Sequence, residues 1–247
     1  MPKKQVSQDR KARIVEMQQQ EKARENRVRI QIIAGCVALL IVLTGAIGYA
    51  VTDASSKQPA NAIEAIGVSA AAASCDPVTA DKAGGNGNHV DPKATARVKY
   101  DTVPPSNGAH FNQPAVSDRR FYTAADRPQM EVLVHNLEHG YTLLWYDAKA
   151  AEAPGMKAKL EELAKVTNRT EWAANKFIVS AWDTSYGELP AGKKFALSHW
   201  SATLGADGRT VAKQEGNRQL CGDLSGAIVK SFVQKHPHTS APEPGAS

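Results

Sequence analysis

The segment His135-Asn136-Leu137-Glu138-His139-Gly140 sets two imidazoles four residues apart with a carboxylate between them, and His110 supplies another imidazole upstream. On a helix, residues four apart stand one above the other with Cβ atoms about 5–6 Å apart, so both rings can reach one ion. On a hairpin the same rings face each other across a turn at about 4.5–5.5 Å. Chelation therefore survives either backbone. Glu138 has three available roles: a base, a ligand, or an outer acceptor that fixes a ring tautomer. His110 is the preferred third ligand because Pro104-Pro105-Ser106-Asn107-Gly108-Ala109-His110 is an irregular segment of the kind that positions functional groups. His89, in the Gly/Asn-rich stretch 84–89, is a weaker fourth. Three or four neutral imidazoles suit copper or zinc far better than magnesium or calcium. The competing reading has each histidine simply hydrogen-bonding backbone near a turn, without metal.

His-x-x-Glu-His is also the signature of a class of zinc peptidases in which the glutamate activates a zinc-bound water. Those enzymes need a further glutamate ligand downstream, for which Glu215 stands only by elimination, and they are built on larger folds; an enzyme is the less favoured expectation. Cys75 and Cys221 are expected to pair in a disulfide, the default for cysteines on an oxidising side of a membrane. His199, inside the apolar run 195–204, reads as a satisfied strand histidine. Asn168-Arg169-Thr170 is a glycosylation sequon only in a host that uses such sites. Phosphate loop, nucleophile elbow and dinucleotide fingerprint are all missing, which argues against nucleotide chemistry.

These residues need a platform, and the first question is where it lies. Residues 32–51 run without a charge, and at about 1.5 Å per residue a helix of some twenty residues spans the roughly 30 Å hydrocarbon layer. The preceding residues 1–29 hold nine Lys/Arg against four Asp/Glu, so the expected topology is a single membrane span with a cytoplasmic amino terminus. Asp9 with Arg13 and Glu25 with Arg29 allow that flank to be a polar helix. The whole chain carries a formal +5; removing the flank leaves 21 basic and 21 acidic residues. The basic balance is thus a topology signal, and nucleic-acid binding is not expected of the domain beyond it. Ile33-Ala34-Gly35-Cys36 resembles a lipobox, but its apolar region follows the cysteine instead of preceding it; Cys36 reads as a small residue of the span. The Ala-rich run 69–74 lies beyond a segment already long enough to anchor, so an uncleaved signal anchor is expected.

The expected organisation is a basic cytoplasmic segment (1–29), a transmembrane helix (30–51), a flexible linker (52–74), an extracytoplasmic domain (75–235) and a fraying tail (236–247). Within the domain, residues 98–100 read as a short strand. Asp126 is placed to cap a helix with apolar positions Met130, Leu133, Val134 and Leu137, stopped by Gly140. A strand over 131–135 is the rival, because Val132 and Val134 are β-branched. Residues 141–146, 176–182 and 195–204 read as strands and 156–166 as a helix. Leu220, Leu224, Ile228 and Phe232 predict a closing helix within 217–233. The sum is an α+β fold, a small sheet packed by helices.

The series Asn88-His89-Val90, Tyr100, Pro104-Pro105-Ser106-Asn107-Gly108-Ala109-His110 and Val134-His135-Asn136-Leu137-Glu138-His139-Gly140 resembles the bacterial membrane-anchored family catalogued as domain of unknown function 3105. The resemblance covers about residues 76–244 and implies a related fold at the bacterial cell surface, with no established activity. His199 before Trp200 departs from the small residue that family carries there. The recurring polar positions fall on His89, His110, His135, Glu138 and His139. The reading is a membrane-anchored extracytoplasmic domain that binds copper or zinc through His110, His135 and His139, with His89 and Glu138 as further ligands, and with no protein partner named by the sequence.

Overall fold

The computed structural model describes Lys22, Arg24, Arg27 and residues 63–246 apart from 94–96, 117 and 208–209. The chain divides into the units Met1–Ser55 and Ser56–Ser247. In the first, Lys22, Arg24 and Arg27 are helical and exposed. Among the described residues no helix is long and apolar enough to cross a membrane; the span expected at 30–51, with Cys36, lies outside them.

Among the described residues of the second unit, eight strands and three α-helices follow one another as β1 (Thr79–Lys82), β2 (His89–Val90), β3 (His110–Phe111), β4 (Phe121–Tyr122), α1 (Met130–Glu138), β5 (Thr142–Tyr146), α2 (Met156–Thr167), β6 (Phe177–Ala181), β7 (Phe195–Leu204), β8 (Val211–Cys221) and α3 (Gly226–Lys235). A mixed six-stranded sheet has the order β1-β8-β7-β5-β6-β4, and β2 with β3 makes a separate parallel ladder. The architecture is α+β, with a larger sheet than the sequence suggests.

The middle strands carry apolar residues on both faces because both faces are covered. Leu144, Tyr146, Phe177, Val179, Phe195 and Leu197 point toward α2 and α3, whose Leu160, Leu163, Val229 and Phe232 join the same cluster. Leu143, Trp145, Ile178, Ala196 and Trp200 point the other way, against Met130, Leu133, Val134 and Leu137 of α1. Each such fully buried side chain contributes about 1.5–3 kcal/mol relative to exposure. The strands expected at 141–146, 176–182 and 195–204 and the helices at 130–138 and 156–166 therefore form as read. Asn168 ties α2 to β6, its amide donating to the Ala164 and Phe177 carbonyls and accepting from the Phe177 N–H.

Several expectations are corrected. Asp126 does not cap α1: its Oδ1 accepts from the Thr123 N–H and hydroxyl, closing a turn. Pro128 disfavours helix in the residue before it, which delays the start to Met130 behind Gln129. Residues 98–100 form no strand; their anchors are side chains, with Val98 N donating to Glu131 and Tyr100 Oη to the Ala109 carbonyl. The closing helix starts at Gly226 rather than within 217–221, because β8 pairs with β7 on one side and β1 on the other. The apparent row is split by the sheet: Leu220 lies on the α1 side, whereas Leu224 and Phe232 lie on the other.

Residues 63–74 are seated on the domain instead of linking to it. Ile63 is fully buried beside α3, Val68 N donates to the Leu224 carbonyl, and Gly222 N donates to Ala73. Cys75 and Cys221 are bonded, fastening this segment to the end of β8. The tail does not fray either: Ala241 is fully buried, and the Pro244 and Ala246 carbonyls accept from Lys176 Nζ.

His199 is buried between Thr142 Oγ1 at 3.2 Å and Ser240 Oγ at 3.4 Å, the satisfied strand histidine expected. Burial, with the nearby charge of His236, lowers its pKa to about 3, and burial with the Lys235 charge lowers that of His236 to about 4. Both rings are neutral when folded and take up protons on unfolding below about pH 6.5. Their contribution is complete above that pH and is lost as pH falls toward 4 and 3, at up to about 1.4 kcal/mol per pH unit each. In urea unfolding between pH 7 and 5, His199→Gln should flatten the stability loss by about that slope; an unchanged slope would refute the assignment.

Candidate metal centre

Five elements converge on one end of α1. The helix brings His135 and Glu138 round to a face that looks at the β2–β3 ladder. In that ladder His89 is the direct parallel partner of His110, so the two imidazoles emerge side by side, with ring centroids 5.0 Å apart. The Pro-rich loop before β3 is seated on the sheet at Gly216, where a Cβ would stand 2.1 Å from Ser106 Oγ and 2.6 Å from Asn107 Nδ2. Only a residue without a side chain lets the loop approach β8 this closely. Tyr100 Oη holds the loop's far end at the Ala109 carbonyl. The Gly/Asn loop that carries His89 is fastened twice, by Gln214 to Asn86 and by Gly87 N to a Glu138 oxygen.

Two rings of the centre are oriented by a carbonyl behind them. His110 Nδ1 lies 2.8 Å from the Gly108 carbonyl and His135 Nδ1 2.5 Å from that of Phe111. A carbonyl only accepts, so both Nδ1 atoms carry a proton and both Nε2 atoms are turned toward Glu138 and His139. This is the outer-shell arrangement that prepares histidines as metal ligands. Burial, partly offset by the Phe111 carbonyl, lowers the His135 pKa to about 4 and keeps that ring neutral. Burial pushes the Glu138 carboxyl up, but the hydrogen bonds from the His110 ring and the Gly87 N–H outweigh it and hold it below its ordinary value.

A carboxylate with no exposed surface thus meets the Nε2 side of two buried rings. Glu138 Oε2 and His110 Nε2 are 2.9 Å apart, an ion pair when that ring is protonated and a ready pair of ligand atoms when it is not.

Ligand atoms of His89, His110, His135 and Glu138 all lie within 4.8 Å of one another, and those of Glu138, His139 and Glu243 form a second such group. Ligands bound tetrahedrally to one ion at about 2.0–2.1 Å stand about 3.4 Å apart, so the first group would have to draw together around an ion. His89, the weaker candidate from sequence, belongs to the first group, and it alone of the four is exposed, which leaves the solvent side for an ion to enter. His139 joins the second group instead, although its Nε2 is only 2.9 Å from that of His135. Glu243 was not foreseen. It arrives on the docked tail, where its N–H donates to the Glu138 carbonyl and its carboxylate lies 3.7 Å from His139. Gly140 makes that docking possible: its φ is +88°, and a Cβ would come within 2.4 Å of the His238 carbonyl.

Glu215, the downstream glutamate of the peptidase reading, is on β8 opposite Ser201 with its carboxylate paired to Lys213 at the surface. It is in neither group. Glu138 is fully buried, with one oxygen engaged by the Gly87 N–H and the other beside His110.

Comparison with known families matches residues 89–247 to the family described as a protein of unknown function, DUF3105. The chain belongs to that family. All six residues of the two groups fall within the DUF3105 match, His89 at its first position. No curated protein and no solved structure matches this DUF3105 chain.

Proposed function

We propose that this DUF3105 domain binds a transition metal ion, copper or zinc, through His89, His110, His135 and Glu138, and that it serves metal handling or maintenance of the cell envelope without catalysis. The observation that carries the reading is the convergence of four ligand atoms, from His89, His110, His135 and Glu138, within 4.8 Å of one another, three of the four side chains being buried. Three imidazoles and one carboxylate make a donor set matched to zinc or copper(II) and poor for magnesium or calcium. The uncharged run at 32–51, the basic flank before it and the Cys75–Cys221 bond support a single-pass anchor with the domain on the oxidising side of a bacterial membrane.

The test is elemental analysis of the full chain, purified in mild detergent without a metal-binding tag and dialysed against zinc or copper. At least one tightly held equivalent per chain is expected, and His110→Ala with His135→Ala should abolish it. A wild-type chain that emerges empty would sink the reading in favour of a structural or partner-binding domain.

A further inference from the structure

Glu138 belongs to both ligand groups, and the second group has its own donors on separate elements: His139 at the end of α1 and Glu243 on the tail. We propose that the centre is binuclear, with Glu138 as the bridging carboxylate between a histidine-rich subsite and a second subsite formed by Glu138, His139 and Glu243. The inference rests on the metal-binding reading above and extends it to a second ion.

Three observations carry it. The shared carboxylate is fully buried and points one oxygen at the Gly87 N–H and the other at the His110 ring, a proposed ligand of the first subsite, while it also lies within reach of His139 and Glu243. The rings of His135 and His139 share a hydrogen bond between their Nε2 atoms, 2.9 Å apart, so the two groups adjoin, and ions bound to each would take the place of that shared proton. The tail that brings Glu243 is fastened at this spot: Lys176 Nζ donates to the carbonyls of His139, Pro244 and Ala246, tying the helix end and the tail together. Paired ions bridged by a carboxylate typically stand about 3.5–4 Å apart, a spacing that adjoining groups of this size accommodate.

The two subsites differ in chemistry. The first offers three nitrogens and a carboxylate, whereas the second offers one nitrogen and two carboxylates, a harder set to which zinc and manganese are also suited. Zinc is borderline and suits both, so it is the probe for a count.

The full chain, stripped of metal and dialysed against zinc, is expected to hold two zinc ions. Glu243→Gln removes one donor at a half-exposed position and should leave one ion bound with the fold intact by circular dichroism. His139→Ala should do the same. One ion in the wild-type chain overturns the binuclear proposal while leaving the metal-binding reading in place. Two ions retained by both variants also overturn it, because the second then sits elsewhere. A chain without zinc removes both readings together.

Discussion

Replacing Glu138 by Gln is expected to weaken zinc binding by at least a hundredfold while leaving the stability of the metal-free domain unchanged within about 1 kcal/mol or raising it, since a buried charge without a full partner costs several kcal/mol. The amide keeps an acceptor for the Gly87 N–H and removes the charge that faces the His110 ring. Zinc at a thousand times its dissociation constant stabilises the wild-type chain by about 4 kcal/mol through linkage. At the same zinc concentration the variant should lose most of that increment. Urea unfolding with and without zinc reads both quantities. If Glu138 were only a structural partner of a protonated His110, the result would reverse: losing the charged hydrogen bond would cost about 1.5–3 kcal/mol without metal, and zinc would stabilise neither protein.

Loss of the Cys75–Cys221 bond is expected to have the largest effect on the fold. The bridge closes a chain separation of 146 residues, for which loop entropy in the unfolded state corresponds to about 5 kcal/mol, with measured bridges more often near 2–4 kcal/mol. Its location adds to this. Beside Cys75 the segment is held by Asp76 N to the Leu220 carbonyl and by Gly222 N to Ala73, and Ile63 is buried at its start. Without the bridge only non-covalent contacts such as these hold the segment on the domain. A Cys75→Ser, Cys221→Ser double variant should unfold at a urea midpoint lower by the equivalent of about 2–5 kcal/mol, with α1 and the zinc site still formed below that midpoint. A drop under about 1 kcal/mol would show that the unfolded chain is already constrained in some other way.

The parts of this protein legible from its sequence are those decided over short distances along the chain. Apolar runs with no polar alternation mark β5, β6 and β7 as strands covered on both sides, and the 3.6-residue spacing of Met130, Leu133, Val134 and Leu137 marks α1. The helix in turn places His135 and His139 on one face, so half of the candidate site follows from local geometry. The row from Leu220 to Phe232 failed because periodicity carries no record of which side of a sheet each residue meets. Its first member faces α1 and its later members face away from it.

The rest of the site depends on pairings that no local pattern encodes. His89 becomes a ligand candidate of equal standing only because a parallel ladder sets it opposite His110 across twenty intervening positions. Glu243 sits among Pro, Ser and Ala in a segment without periodicity, and it reaches the centre because Lys176 and Gly140 accept the tail against the end of α1. Gly216 gives no sign in sequence that it is the seat of the Pro-rich loop. Residue chemistry and spacing were enough to nominate imidazoles, a carboxylate and a transition metal. Which donors share an ion was left to the register of β2 with β3 and the docking of the tail, since ligation needs atoms within about 4 Å and only tertiary packing brings distant parts of a chain that close.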